Sequence, residues 1–291
     1  MGYSARVLLD SVSPDGVRLV TMEVRYPRFI HAELMTHRVF SRNAASSRAI
    51  PIKKMIGAVR DDPAMPIYWG KNQAGMSARS EIDQAARSRA QAEWVRALGN
   101  ALETAERLSD SDIDLHKQLV NRVLEPFAWI TVIVTATEWS NFFTQRCHAD
   151  AQPEIKHLAD MMLGAFRAST PEPVDGDAWH LPLLQQDERS LDIATQRMLS
   201  VARCARVSYL THDGTRDREK DIELYERLLG GGANGHWSPF EHVATPLADG
   251  LAWVANFRGW KQYRKLFAGE SAATFPDREP AVREEFAAST G

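Results

Sequence analysis

The stretch THRVFSRNAASSR, residues 36–48, holds three arginines, three serines, an asparagine and a histidine. Hydroxyl, amide and guanidinium groups in a loop can bind an anion, and arginine can bind a phosphate through two parallel hydrogen bonds. Ser46, Ser47 and Arg48 are therefore candidates for a phosphate cradle. A surface loop held by arginine–carboxylate pairs accounts for the same residues, and composition alone slightly favours that second interpretation.

The overall composition is that of an ordinary globular protein. The chain has 291 residues, of which 44% are hydrophobic and 25% charged, and its net charge of -3 gives no general attraction to nucleic acid or to an anionic membrane. Its two cysteines, Cys147 and Cys204, form neither a disulfide framework nor a zinc motif. The N-terminus lacks the pattern of a signal peptide. We expect a cytoplasmic protein with no nucleic-acid or membrane partner and no metal.

Outward from residues 36–48, the patterns alternate between strand and helix. Alternating apolar residues predict strands at 6–12 and 17–26, joined by a turn with hairpin chemistry. Helical spacing then predicts a helix over 28–40, followed by a loop from Ser41 to Ser47. A long amphipathic pattern predicts a helix over 77–108.

Further helices and strands are predicted after residue 108. Capping residues at 109–112 predict the start of another helix. Residues 127–134 are apolar and β-branched, which leaves helix and strand both open. Pro153 opens a further helix. The predictions for the remainder are helices at 191–205 and 217–229, and strands at 206–210 and within 236–257.

Three more segments carry candidate chemistry. In NFFTQRCHADAQPE (141–154), Arg146 and Asp150 have the spacing of a helical salt bridge, and Cys147 is either a reactive thiol or a small buried apolar residue. His148 and Asp150 lack a third metal ligand. HWSPFEH (236–242) has the residue types of a turn or of a site, and Arg122, taken alone, is a surface charge.

Together these segments resemble the flavin-dependent thymidylate synthases. The signature of that family is Arg-His-Arg, seven residues and Ser, which His37, Arg38 and Ser46 match. Residues 146–155 resemble the family's Arg…His-Ala-Gln-x-Glu-Ile helix, and NRVLEP (121–126) resembles its Ala-Arg-x-x-Leu-Pro. The segment from ARVSYL to HWSPFEH, residues 205–242, is similar to the family's N-terminal region. Because it follows the signature here, we predict a permuted order.

The resemblance implies an α+β fold with an antiparallel sheet flanked by long helices. It also implies a homotetramer whose sites are shared between subunits. We expect residues 1–168 to form the signature-bearing region and 169–190 to be a linker. Residues 191–275 are then a displaced flavin-binding block that completes the same domain, and 276–291 a tail.

The resemblance further implies an enzyme that transfers a one-carbon unit from methylenetetrahydrofolate to C5 of dUMP, giving dTMP. FAD is the implied cofactor, NADPH the reductant, and no enzyme nucleophile is required. Arg146 is the implied catalytic residue, because it would polarise the uracil ring. The implied dUMP site comprises Glu33, Ser46, Ser47, Arg48, Arg122 and Arg146. The implied FAD site comprises His37, Arg38, Asn43, Asn141, Ser208, His236, Ser238 and Glu241.

Several positions depart from the family pattern and keep other functions open. Thr36 replaces the first arginine of the signature, and Ala44 replaces an acidic residue. Glu33 stands where the family has Gln, and a carboxylate near the base can favour an amino group. Methylation or hydroxymethylation of dUMP or dCMP is therefore an alternative. Because Thr135 and Thr137 replace flavin-contacting residues, a non-catalytic nucleotide- or flavin-binding protein is another.

Overall fold

The computed structural model describes residues 2–209, 217–230 and 235–267, with only the backbone of Ser208 and Tyr209. It is an α+β fold, as predicted. The strands are β1 (Ser4–Val12), β2 (Arg18–Pro27), β3 (Ser41–Ala44), β4 (Trp129–Ala136), β5 (Glu172–Pro173), β6 (Ala244–Pro246), β7 (Trp253–Val254), β8 (Phe257–Arg258) and β9 (Trp260–Gln262). The helices are α1 (His31–Met35), α2 (Ile52–Asp61), α3 (Gln84–Ser109), α4 (Lys117–Leu124), α5 (Ser140–Arg146), α6 (Pro153–Ala168), α7 (Ile193–Tyr209) and α8 (Arg218–Leu229).

The main sheet has the order β3-β4-β2-β1-β5, in which only the short β1–β5 pair is parallel. The turn at 13–17 closes the predicted hairpin of β1 and β2, and Gly16 adopts a φ of 77° there, which a residue with a side chain rarely takes. Residues 127–134, left open between helix and strand, lie mostly in β4, an inner strand of the sheet between β2 and β3. Because β4 is covered on both faces, its sequence is mostly apolar and β-branched and lacks alternation.

One face of the sheet packs against α6. Val20, Met22 and Val24 of β2 lie in one buried cluster with Ile155 and Leu158 of the helix. The helix has the predicted start, with Pro153 in its first turn and the Gln152 side chain accepting a hydrogen bond from the Ile155 N–H. The opposite face packs against α7, whose Cys204 and Val207 contact Ile133. The sheet is thus enclosed between the two helices.

Two predictions around the opening stretch are wrong. The helix predicted over 28–40 is a 3₁₀ turn at Arg28–Ile30 followed by the short α1. It ends early because the Arg42 guanidinium donates to the carbonyl groups of Leu34, Met35 and His37, which caps the last turn. The predicted loop from Ser41 contains β3, whose backbone pairs with β4.

A separate helical layer of α2, α3 and α4 packs around its own apolar cluster. The long helix predicted from residue 77 begins only at Gln84, where the Asp83 carboxylate accepts a hydrogen bond from the Ala86 N–H. The following helix begins after His116 and not at the predicted caps. No helix in the described residues is long and apolar enough to span a membrane.

The C-terminal half of the chain, including α7, packs on the face of the sheet opposite α6. The strand predicted at 206–210 is wrong, because α7 continues as helix to Tyr209. The helix predicted at 217–229 is confirmed as α8, which packs on α7. Within 236–257 the structure has a 3₁₀ turn at Ser238–Glu241 and three short strands. Residues 169–190, predicted to be a linker, include β5 and the buried His180. The predicted tail, 276–291, lies outside the described residues.

A buried chain of hydrogen bonds links these parts through the sheet. His180 contacts the hydroxyl groups of Ser11 at 2.8 Å and Thr21 at 2.7 Å. Thr21 contacts Thr135 at 2.7 Å, and Thr135 contacts Nδ1 of His242 at 2.8 Å. Burial lowers the pKa of each histidine to about 3, so both are neutral in the folded protein.

The two buried histidines of this hydrogen-bond chain predict a loss of stability in mild acid. The unfolded protein binds protons on both histidines below about pH 6.5, whereas the folded protein does not until about pH 3. Their contribution is therefore complete above pH 6.5 and is lost as the pH falls. We expect the free energy of unfolding to decrease by about 2 kcal/mol per histidine between pH 7 and pH 5.

Urea unfolding at pH 7, 6 and 5 measures this dependence. In His180→Gln/His242→Gln the decrease should become about 4 kcal/mol smaller, whatever the stability of the variant at pH 7. An unchanged pH dependence in that variant would contradict the assignment.

Candidate functional site

An open cavity of about 440 Å³ lies where the N-terminal and C-terminal parts of the chain meet. One wall comes from β3, the turn after it and the start of α4, and the other from α7, α8 and residues 236–239. Its lining residues are Asn43, Ser46, Arg48, Ala49, His116, Gln118, Ala205, Leu228, His236, Ser238 and Pro239. Five of these, from segments nearly two hundred positions apart in the sequence, were predicted site residues.

Asn43 joins the two walls. Its Nδ2 donates to the carbonyl oxygen of Cys204 at 2.6 Å, and its Oδ1 accepts from the Ser238 hydroxyl at 3.2 Å. Asn43 can do this because β3 places it, buried, at the edge of the sheet under α7. These two hydrogen bonds fix the position of the signature segment relative to the C-terminal segment across the cavity.

The predicted phosphate cradle is held from behind by α4. Asn121 donates from Nδ2 to the carbonyl oxygens of Ser47 at 2.8 Å and Ile50 at 2.9 Å. These bonds fix the turn that presents Ser46 and Arg48 to the cavity. Sequence reasoning missed Asn121, although it stands directly before Arg122 in the motif at 121–126. It also missed His116 and Gln118, which carry no signal of their own.

Ser47 and Arg122 do not line this cavity. The Ser47 hydroxyl is buried and donates to Glu125 at 2.6 Å. Arg122 projects from the same helix face as Gln118, one turn further on, and donates to Glu125 at 3.2 Å. Both predicted dUMP contacts are therefore engaged with one carboxylate.

A second group of predicted residues surrounds Arg146. Its Nε donates to Nε2 of His37 at 2.8 Å, and its terminal nitrogen donates to the Thr36 hydroxyl at 3.0 Å and lies 3.5 Å from the Glu33 carbonyl oxygen. Burial, with the charges of Arg146 and Arg42, lowers the pKa of His37 to about 4. His37 is thus a neutral acceptor that orients the arginine.

This arrangement excludes the predicted alternative of a salt bridge between Arg146 and Asp150. Helix α5 ends at Arg146, so Asp150 is not one helical turn beyond it, and Asp150 instead lies 3.6 Å from Nδ1 of His148. Glu33 has a further property: its Oε2 is buried and has no hydrogen-bond partner among the described residues.

The remaining predicted site residues do not line the cavity, or their side chains lie outside the described residues. Arg38 is exposed. Asn141 accepts a hydrogen bond from Gln145 at 3.1 Å. Glu241 pairs with Arg264. The side chain of Ser208 lies outside the described residues.

Neither thiol is suited to be a nucleophile near neutral pH. Burial and a hydrogen bond to Asp160 raise the pKa of Cys147 to about 11. Burial also raises the pKa of Cys204, which is enclosed between α7 and the sheet. Of the two interpretations of Cys147, the raised pKa favours the small apolar residue, here in a partly buried position. The described residues contain no cluster of histidine, cysteine and carboxylate groups that could hold a metal ion.

Comparison with known proteins gives one family and a set of distantly related solved structures. The UMP/dUMP methylase PolB from Streptomyces cacaoi, bound with 5-Br UMP, is 19% identical, with a TM-score of 0.48 over 56% of this chain and 88% of that one. Flavin-dependent thymidylate synthase ThyX from Helicobacter pylori, complexed with FAD and dUMP, is 18% identical, with a TM-score of 0.34 over 51% of this chain and 67% of that one. No curated protein matches.

The family match covers the opening signature. The model of the family described as thymidylate synthase complementing protein matches residues 17–172, more than half of the chain. This range includes β2 to β4, the cradle at 46–48 and the Arg146 group. It ends before α7, so the permuted order of 205–242 stays a prediction. The chain belongs to the thymidylate synthase complementing protein family.

Proposed function

We propose that the protein is a flavin-dependent enzyme that transfers a one-carbon unit from methylenetetrahydrofolate to C5 of dUMP. The observation that carries this proposal is the cavity in which Asn43, Ser46 and Arg48 meet His236 and Ser238. Two segments chosen for separate reasons, the signature and the displaced block, supply its opposite walls. We further propose that 191–275 completes the domain of 1–168, while the tetramer and the cytoplasmic location stay predictions.

The chemistry of the lining supports a nucleotide phosphate at Ser46 and Arg48. A hydroxyl and a guanidinium group are the donors that phosphate prefers, and here they occupy one short turn. Since the net charge of the chain is -3, this affinity is local. Binding the phosphate would fix the nucleotide by the end that does not react.

The same cavity carries the kinds of side chain that can form hydrogen bonds with the polar groups of FAD. Asn43, His236 and Ser238 provide an amide, an imidazole and a hydroxyl, and the cavity is open on one side, which suits a ligand longer than its depth. When bound there, the reduced flavin would supply the reducing equivalents of the reaction, with NADPH as their source. The role of the protein is to bind and orient.

Arg146 would act on the pyrimidine. Its guanidinium group is held by neutral His37 and by Thr36, so it keeps its full charge and a fixed direction. A cation placed at a ring oxygen stabilises the negative charge that develops when C5 acts as a nucleophile. No enzyme thiol is needed, in agreement with the raised pKa of both cysteines.

The test is a product assay on the purified protein. We expect flavin absorbance, and dTMP when the protein is incubated with dUMP, methylenetetrahydrofolate and NADPH, identified by a mass gain of one methyl group. Absence of both flavin and product would refute the proposal and favour the non-catalytic alternative.

The unpartnered Oε2 of Glu33 favours one second candidate, a cytosine nucleotide as substrate. A buried carboxylate oxygen without a donor is costly, and the exocyclic amino group of cytosine can donate to it, whereas the O4 of uracil cannot. Glu33 is close to Arg146, whose guanidinium lies 3.5 Å from the Glu33 carbonyl oxygen. Under this candidate the same cofactors would modify dCMP.

Glu33→Gln separates the two bases. If the base lies against Glu33, we expect the ratio of kcat/KM for dUMP to that for dCMP to rise by about tenfold or more, because an amide can pair with either base. The measurement is competition between the two nucleotides in one reaction. Gln145→Glu, at an exposed position near Arg146, is the matched control. An unchanged ratio would place Glu33 away from the base.

A further inference from the structure

Glu125 is the acidic residue in NRVLEP (121–126), where the resembling motif, Ala-Arg-x-x-Leu-Pro, has leucine. Its carboxylate accepts from the Ser47 hydroxyl at 2.6 Å, from Arg122 at 3.2 Å and from Arg28 at 3.1 Å. A hydroxyl and two guanidinium groups on one anion are the donor set of a phosphate site. Here the anion belongs to the protein.

We propose that Glu125 is a tethered anion that competes with the nucleotide phosphate for Ser47 and Arg122, and thereby limits how tightly the protein holds that phosphate. This inference rests on the proposed function, because it assigns the adjacent Ser46 and Arg48 to the phosphate. Glu125 then sets the affinity for the phosphate and takes no part in the chemistry.

The position of the carboxylate supports competition. Ser47 follows Ser46 directly, so the Glu125 carboxylate that accepts from Ser47 lies beside the turn that presents Ser46 and Arg48 to the cavity. Arg122 is 53% exposed, and its side chain lies one helical turn beyond Gln118, which lines the cavity. It can therefore swing from Glu125 to a ligand at the cavity without breaking buried packing.

Arg28 gives the carboxylate a partner that remains. Its guanidinium group is 16% exposed, donates to the Ala45 carbonyl oxygen at 3.2 Å and pairs with Glu125. When a phosphate takes Ser47 and Arg122, Glu125 keeps this ion pair and no buried charge is left alone. The exchange is therefore an exchange of partners and not a local unfolding.

The experiment measures ligand binding by calorimetry in the wild-type protein and in Glu125→Gln and Glu125→Leu. Glutamine keeps an acceptor for Ser47 and so protects the fold, whereas leucine restores the residue of the family motif. Glu138→Gln, at the comparably exposed carboxylate paired with Arg258, is the matched control. The ligands are inorganic phosphate, dUMP and deoxyuridine.

We expect both Glu125 variants to bind dUMP and inorganic phosphate about tenfold more tightly, because a like charge near the phosphate is removed and two donors are released. The difference should shrink at high salt. Deoxyuridine, which has no phosphate, should bind as before, and Glu138→Gln should change none of the three affinities.

Wild-type binding of dUMP with no gain in either Glu125 variant would overturn the inference and leave the proposed function standing. If none of the proteins binds dUMP, the proposed function fails. Inorganic phosphate then decides the inference alone: a gain in both variants supports competition by Glu125, and equal affinities refute it.

Discussion

We expect Arg146→Ala to lower kcat for dTMP formation by about 10²–10³-fold, with a much smaller change in the dissociation constant of dUMP. The guanidinium group is held by Nε2 of His37 at 2.8 Å and by Thr36 at 3.0 Å. A charge held in this way is already oriented when negative charge develops on the ring, so its loss affects the transition state more than the bound substrate. Single-turnover kinetics with pre-bound dUMP measure the step directly.

Three variants make the result specific. Arg146→Lys keeps the charge but loses the planar fork, so we expect it to recover only part of the rate. His37→Asn keeps a hydrogen-bond acceptor and should cost less than Arg146→Ala. Arg60→Ala removes an exposed arginine paired with Glu106 and should leave the rate unchanged. Turnover by Arg146→Ala at the wild-type rate would remove Arg146 from the site.

The core elements were predictable because their information is local. In α6, apolar residues at 155, 158, 159 and 162 have helical spacing, and all four are buried against the sheet. The hairpin of β1 and β2 has alternation and a turn with a glycine at positive φ. Such patterns depend on neighbours within a few positions.

The strands β3 and β4 were harder to predict from the sequence, for opposite reasons. Ser41–Ala44 carries polar side chains because they contact other groups of the site, such as Asn43 with Cys204 and Ser238. Polar alternation without a hydrophobic set does not indicate a strand. Trp129–Ala136 is buried on both faces and has no period at all, which only its position in the sheet resolves.

The candidate site was predictable in part. Ser46 and Arg48 stand out by composition, whereas Gln118 and Asn121 are ordinary residues of an amphipathic helix until the fold brings α4 behind the turn. Glu125 also reads as the end of a helix. Its proposed role depends on three donors, of which Arg28 and Ser47 are remote in sequence. Pairing between distant segments leaves no local pattern.

The same limit applies to a buried ionic network in the C-terminal half. Arg203 of α7 is only 4% exposed, and it donates to Asp221 of α8 at 2.9 Å and to Glu188 at 2.6 Å. Glu188 and Asp221 are themselves buried. The hydrogen bonds from Arg203 lower the pKa of Glu188 to about 2, so the pair is ionised at neutral pH. These contacts join the segment before α7 to α7 and α8, and the two helices contribute to one wall of the cavity.

We expect Arg203→Met to reduce the free energy of unfolding by about 3–5 kcal/mol, because methionine fills similar space but leaves two buried carboxylates without their shared partner. The melting temperature should fall by roughly 10 °C, and urea unfolding should show a lower midpoint with an unchanged m-value. Arg203→Lys should lie between the two proteins, since one ammonium cannot replace the fork.

The matched control for Arg203 is Arg60→Met, which breaks an ion pair that is about half exposed on both sides. It should cost less than about 1 kcal/mol, because water already solvates both groups. If Arg203→Met is no more destabilising than this control, then Arg206 and Arg218, which also contact Asp221 and Glu188, suffice to hold the two carboxylates. The wall of the cavity would in that case depend on the apolar packing of α7 on α8 and not on the ionic network.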